Sequence, residues 1–304
     1  MKRFLFLSSI IAVVIGCQKE LSHSSSSYNY QSLSEFFEKN QKPSQTFSQN
    51  SSNIISLQTN KGTKIIFQPN SFITLNDQPV TGDISIEVKE ILTPSEMILN
   101  RTLTVSNGQP IESGGEFFVR VTKNGQELKL APGYGMQIKL PSLGVSMNNM
   151  QVFNGQVNNA DAGNKVNWVP NTNPGNAVIV DTFGLSRTLF ADSVNWINCD
   201  RFLNDPRINY TVNPGNISGL DSLTVVVHFT GRNSVISMPW NSTALKFYSQ
   251  SLIASDATVI GIGIRDHKIL ASIVPVTLQN DQSITLNLLP ITEAQLKERL
   301  VLLH

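Results

Sequence analysis

The sequence predicts an all-β protein: two β-sandwich-like units, an irregular Asn/Gly-rich middle and a short C-terminal helix. Three observations carry this. From Ile54 onward, apolar residues recur with a period close to two, the signature of half-buried strands. Turn chemistry interrupts the runs at Asn60-Lys61-Gly62, Asn76-Asp77, Thr81-Gly82-Asp83, Asn107-Gly108 and Asn124-Gly125. Short strands at this spacing favour a sandwich or barrel over βαβ units. Finally, no long amphipathic helical pattern occurs between residues 53 and 290.

Charge excludes one class of partner. The 304 residues hold 23 Lys plus Arg against 22 Asp plus Glu, a net charge of +1. A chain this close to neutral has no field to attract a polyanion, so no nucleic acid is expected as a partner. Two cysteines do not make a disulfide framework.

The first segment reads as an address. Met1-Lys2-Arg3 is basic, and Phe4 to Ile15 is an apolar run broken only by Ser8 and Ser9. That run is shorter than the roughly 20 residues a spanning helix needs, and it has signal-peptide proportions. It ends in Val14-Ile15-Gly16-Cys17, which resembles the lipobox of bacterial lipoproteins. The resemblance implies a signal peptide over 1–16, lipidation of Cys17 and a membrane partner reached through the acyl chains. It implies an outer membrane lipoprotein that faces the periplasm or the cell surface. Gln18-Lys19-Glu20 resembles the export signal of surface lipoproteins in the Bacteroidota, with fewer acidic residues. Residues 17–52 then read as lipidated cysteine and flexible tether, since Ser22 and Ser24 to Ser27 are low in complexity. Within that tether a short helix over Ser32–Lys39, capped by Ser34, is the alternative.

Residues 53–145 read as the first sandwich-like unit. Its expected strands are Ile54–Gln58, Thr63–Phe67, Ile84–Val88, Gly115–Thr122, Gln126–Leu130 and Gly135–Leu140. Lys123-Asn124-Gly125 between two alternating runs is a hairpin signal. Gly62-Thr63-Lys64-Ile65-Ile66-Phe67-Gln68-Pro69-Asn70-Ser71-Phe72, continued in Val80 to Ile86 and Glu112-Ser113-Gly114-Gly115, resembles the sandwich shared by ankyrins, netrin receptors and zonula-occludens scaffolds. A wider likeness runs through Pro94 to Leu99, Met150 to Phe153, Asn167-Trp168-Val169-Pro170 and Trp196 to Phe202. These segments resemble an uncharacterised family of secreted proteins and lipoproteins of the Bacteroidota, which implies location and fold but no reaction.

Residues 146–217, rich in Asn, Gly and Pro, are expected to form irregular hairpins, with Gln151–Phe153 and Val166–Val169 as one pair. A second sandwich-like unit is expected over 218–290, with Asp266-His267 as a turn. Residues 291–304 read as a helix that packs on it: Thr292 and Gln295 form a capping box, and Leu296, Leu300 and Leu303 make one apolar stripe.

Candidate chemistry is sparse. Cys199 could pair with His228 as a nucleophile and base, or fill a core as a small hydrophobe. His228-Phe229-Thr230-Gly231 resembles the site at which some sandwich domains cleave themselves, with Thr230 attacking the Phe229 carbonyl and His228 as base. No metal or cofactor is expected, because none of the four histidines is paired at ligand spacing. Gly261-Ile262-Gly263 reads as a strand with a bend. Trp168 and Trp196 lie in apolar runs and read as core anchors, whereas Trp240 follows Met238-Pro239 in a loop and is the ligand-binding candidate. Asp192-Ser193-Val194 and Asp221-Ser222-Leu223 resemble the tripeptide that Bacteroidota O-glycosylate. The expected function is a lipid-anchored envelope protein, not an enzyme, with a binding or structural role towards a glycan or an envelope protein. Glycan binding at the surface is the alternative, and self-cleavage between Phe229 and Thr230 the rival below it.

Overall fold

Two-residue turns set the register of the sheets. Asn107-Gly108, Asn124-Gly125 and Asp266-His267 all have both central residues at positive φ, the backbone that matches the twist of a tight hairpin. All three were expected as turns. The computed structural model describes residues 29–140, 146, 148–158, 164–180 and 187–303.

The chain opens with α1 (Leu33–Asn40), β1 (Gln45–Asn50), β2 (Ile55–Gln58), β3 (Lys64–Phe67), β4 (Phe72–Thr74) and β5 (Asp83–Ile91). There follow α2 (Pro94–Asn100), β6 (Val105–Ser106), β7 (Gln109–Lys123), β8 (Gln126–Leu130), β9 (Met136–Lys139), β10 (Gln151–Val157), β11 (Val166–Pro170), β12 (Ala177–Val180), β13 (Arg187–Ala191) and β14 (Asn195–Phe202). The remainder is β15 (Arg207–Asn213), β16 (Leu220–Phe229), β17 (Val235–Ser237), β18 (Trp240–Asn241), β19 (Lys246–Ile253), β20 (Asp256–Arg265), β21 (Lys268–Thr277), β22 (Gln282–Thr285), β23 (Leu289–Pro290) and α3 (Glu293–Val301).

In the first sandwich, a sheet ordered β1-β5-β7-β14-β10-β11, with β4, β6 and β8 at its side, faces a sheet ordered β12-β13-β9-β3-β2. Ile84, Ile86, Val88, Phe117 and Val119 from one meet Ile55, Leu57, Ile65, Phe67 and Ile138 from the other. The stretch expected to be irregular is threaded into this core. β14 lies between β7 and β10, and Val152, Leu189 and Ile197 are buried with the rest. Pairing therefore crosses the boundary expected at residue 145. The Asn and Gly residues mark short connections between strands. The expected hairpin is present, as β10 pairs with β11 from Phe153↔Pro170 to Val157↔Val166.

The tether is corrected from residue 29 onward. β1 pairs along its whole length with β5, from Gln45↔Val88 to Asn50↔Asp83. The helix is present, but Ser32, not Ser34, caps it, accepting from the Glu35 N–H at 3.2 Å. Its residues Leu33, Phe36 and Phe37 recur at i, i+3 and i+4 and are buried. Burying two phenylalanines outweighs the low propensity of the serine-rich surroundings. Cys17 and the serine run lie outside the described residues.

The second sandwich pairs the sheet β18-β19-β15-β22 with β17-β16-β20-β21-β23. It begins at β15, earlier than expected, and β15 runs parallel to β22. Val225, Val227, Phe229 and Val259 point into the sandwich, whereas Val226, Ile260, Ile262 and Ile264 point outward. On that outer face lie α1, α2 and α3. Thr292 and Gln295 form the capping box, Leu296 and Leu300 are buried, and the Tyr30 hydroxyl donates to Glu293. The terminal helix thus packs as expected. Gly261 marks a close approach within β20, not a bend: a Cβ there would stand 2.7 Å from Leu286 Cδ1.

Candidate functional site

Trp240 lies in β18, the edge strand of its sheet in the second sandwich, and not in a loop as expected. It pairs with Phe247 across β18 and β19, and the two rings are 4.9 Å apart. Phe247 is buried, but Trp240 is 42% exposed. With Ile217, Leu220, Leu223 and Ser222 they line a cleft of 410 Å³. Among the described residues Ser222 supplies the only hydroxyl there, and its Oγ is buried without a hydrogen bond. An exposed indole over aliphatic walls takes a ligand with an apolar face. Trp168 and Trp196 stand apart as core anchors. Trp168 is fully buried, and its ring meets that of Trp196 edge-on at 6.1 Å.

The remaining candidates are separated by the fold. Cys199 lies in the first core, and burial, aided by nearby Asp200, pushes its thiol well above the ordinary range. A buried thiol held protonated is a poor nucleophile. His228 is buried near the end of β16 in the second sandwich, and its Nε2 lies 3.2 Å from the Arg232 carbonyl. Thr230 is exposed, and its N–H donates to the Asp256 carbonyl at 3.0 Å. The Arg232 N–H donates to the Phe229 carbonyl at 3.1 Å. With Gly231 at φ +75°, this is a turn that begins only after the extended Phe229. His267 occupies a hairpin turn, and His23 and His304 lie outside the described residues. Among the described residues no group of three or more His, Cys, Asp or Glu could hold a metal ion.

Sequence reasoning missed a pair of buried acids where the two sandwiches meet. Glu116 on β7 and Asp200 on β14 are fully buried. Burial raises both well above the ordinary carboxylate range, and Asp200 raises Glu116 further. The Thr102 hydroxyl donates to Glu116 Oε2 at 2.5 Å. The Ser113 hydroxyl donates to Asn198 at 2.7 Å, and its influence on Asp200 only partly offsets the effect of burial. Residues from the second sandwich seal the cluster. The Asn233 amide donates to the Ser113 carbonyl at 2.8 Å, and the Ser234 hydroxyl donates to the Ile111 carbonyl at 2.7 Å. A weak sequence signal existed, since Glu116 directly precedes the apolar Phe117-Phe118-Val119 and Asp200 follows Trp196-Ile197-Asn198-Cys199.

Fold and site together define a mostly-β protein of several antiparallel sheets with an exposed-tryptophan cleft. No protein-family model matches the chain, and no curated protein matches it.

Proposed function

We propose that the chain is a lipid-anchored extracytoplasmic protein of the outer membrane, held through Cys17, with a non-enzymatic binding role centred on the Trp240 cleft. The observation that carries the binding role is the exposed indole tilted at 59° against Phe247 in an otherwise aliphatic cleft. An exposed indole bordered by aliphatic walls is the kind of concave apolar surface that ligand sites present. A glycan suits it: the C–H face of a pyranose lies on the indole. The anchor reading rests on the basic leader, the apolar run and the lipobox-like end at Cys17.

The test uses the full chain carrying Cys17→Ala, because a fragment starting at residue 53 would delete α1 and β1. On a glycan array this protein is expected to bind, and Trp240→Ala to abolish the signal of at least one glycan. An array without signal replaces the glycan reading with a scaffold role towards an envelope protein. Cys17→Ala should itself move the protein out of the detergent-rich phase; unchanged partitioning removes the anchor.

A further inference from the structure

A second cleft lies on the first sandwich, remote in chain and fold from Trp240. Ile66 on β3, Gln137 on β9 and Phe190 on β13 stand in one cross-strand row, Ile66 paired with Gln137 and Gln137 with Phe190. Their chain neighbours Ile65, Phe67, Met136, Ile138, Leu189 and Ala191 are all buried in the core. By the alternation of a strand, the row faces outward. Two connections rise beside it. The turn after β8 brings Tyr134, 38% exposed, and the loop before β12 brings Pro174 and Gly175. With Gln68 and Asp192 they enclose 400 Å³, within the range of small-molecule sites.

Among the described residues Asp192 is the one charged side chain in this lining, and the Asn-rich loop holds it in place. The Asn171 amide donates to Oδ1 at 3.0 Å and the Asn173 amide to Oδ2 at 2.9 Å. The Asp192 N–H donates to Asn176 Oδ1 at 3.0 Å. Burial pushes the carboxyl up, but the hydrogen bonds around it outweigh that, and its pKa lies below the ordinary range. The carboxylate is ionised and oriented, and each oxygen keeps a further lone pair for a ligand.

We propose that this cleft binds a neutral saccharide, with a pyranose ring laid on Tyr134 and Phe190 and its hydroxyls bonded to Gln68, Gln137 and Asp192. The lining selects this class by elimination. An anion would meet Asp192 with no cation among the described lining residues to offset it. A wholly apolar ligand would cover the Gln137 amide and the outward side of the Asp192 carboxylate and offer neither a hydrogen bond. An amine would satisfy Asp192 but leave the two glutamine amides, which both donate and accept, unmatched. Sugar hydroxyls donate and accept, and the C–H face of the ring matches the aromatic rings.

The test is calorimetric titration of the full chain carrying Cys17→Ala with neutral cello-, malto-, xylo-, laminari- and chito-hexaoses. At least one is expected to bind. Tyr134→Ala and Gln137→Ala should each weaken that binding about ten-fold, the loss of one stacked ring or one hydrogen bond. Trp240→Ala should leave it unchanged, which separates this cleft from the Trp240 cleft. Both substituted side chains face solvent, and an unaltered thermal midpoint confirms folding. If Tyr134→Ala lowers the midpoint, Gln137→Ala carries the test. Absence of heat with every saccharide overturns the proposal, as does binding that only Trp240→Ala abolishes. Binding of tetramethylammonium in place of any saccharide also overturns it.

Discussion

Phe36→Ala tests whether the segment before β1 is part of the folded body. Phe36 is fully buried. Its ring meets Tyr30 edge-on at 5.2 Å and Phe37 at 5.2 Å, and it belongs to the cluster that joins α1, α2, α3 and the outer face of β20. Truncating a buried phenylalanine costs about 3–5 kcal/mol, the sum of lost transfer free energy and the cavity left behind. With a urea dependence of about 2–3 kcal/mol per molar, the midpoint should fall by about 1–2.5 M. Leu75→Ala, at a residue 60% exposed, should move it by less than about 0.3 M. Urea melts followed by tryptophan fluorescence read both, since Trp196 packs against the same cluster. If Phe36→Ala behaves like Leu75→Ala, α1 contributes nothing and the segment is a tether after all.

Three further outcomes follow. The fold binds the protons of Glu116 and Asp200 more tightly than the unfolded chain does, whose ordinary values are 4.5 and 3.8. Their contribution is therefore complete at low pH and is lost as pH rises from those values through the raised ones. Thermal melts from about pH 5 to 9 should show a falling midpoint that is flatter in the Glu116→Gln, Asp200→Asn variant; parallel profiles would refute this. Gly155→Ala should destabilise by about 1–3 kcal/mol, because its Cβ would lie 2.5 Å from Trp196 Cβ and 2.7 Å from Val166 Cγ1; an unchanged melt contradicts that packing. Lastly, the protein should run as a single chain under denaturing conditions, with Thr230→Ala without effect. A fragment beginning at Thr230 would make it self-processing.

What the sequence disclosed was whatever local chemistry decides. Asn124-Gly125 and Asp266-His267 form their turns because the backbone they require is written in two residues, and Thr292 with Gln295 caps α3 across a single turn. β1 was invisible because Gln45-Thr46-Phe47-Ser48-Gln49-Asn50 holds one apolar residue. An edge strand paired on one side needs little more when β5 supplies the ladder. The depth of the buried acids was equally unreadable. Glu116 and Asp200 are closed off partly by Asn233 and Ser234, more than 30 residues beyond Asp200 and over 100 beyond Glu116. Trp240 could be found because Pro239 ends the preceding run and leaves the indole in a short edge segment. The Tyr134 cleft could not. Its floor exists only once β3, β9 and β13 are in register, and its carboxylate is held by the loop whose Asn content had read as irregularity. An asparagine run in a β-protein is thus ambiguous until its amides are assigned. Here Asn171, Asn173 and Asn176 converge on Asp192, so the composition that marks a turn also positions the one charge in the cleft.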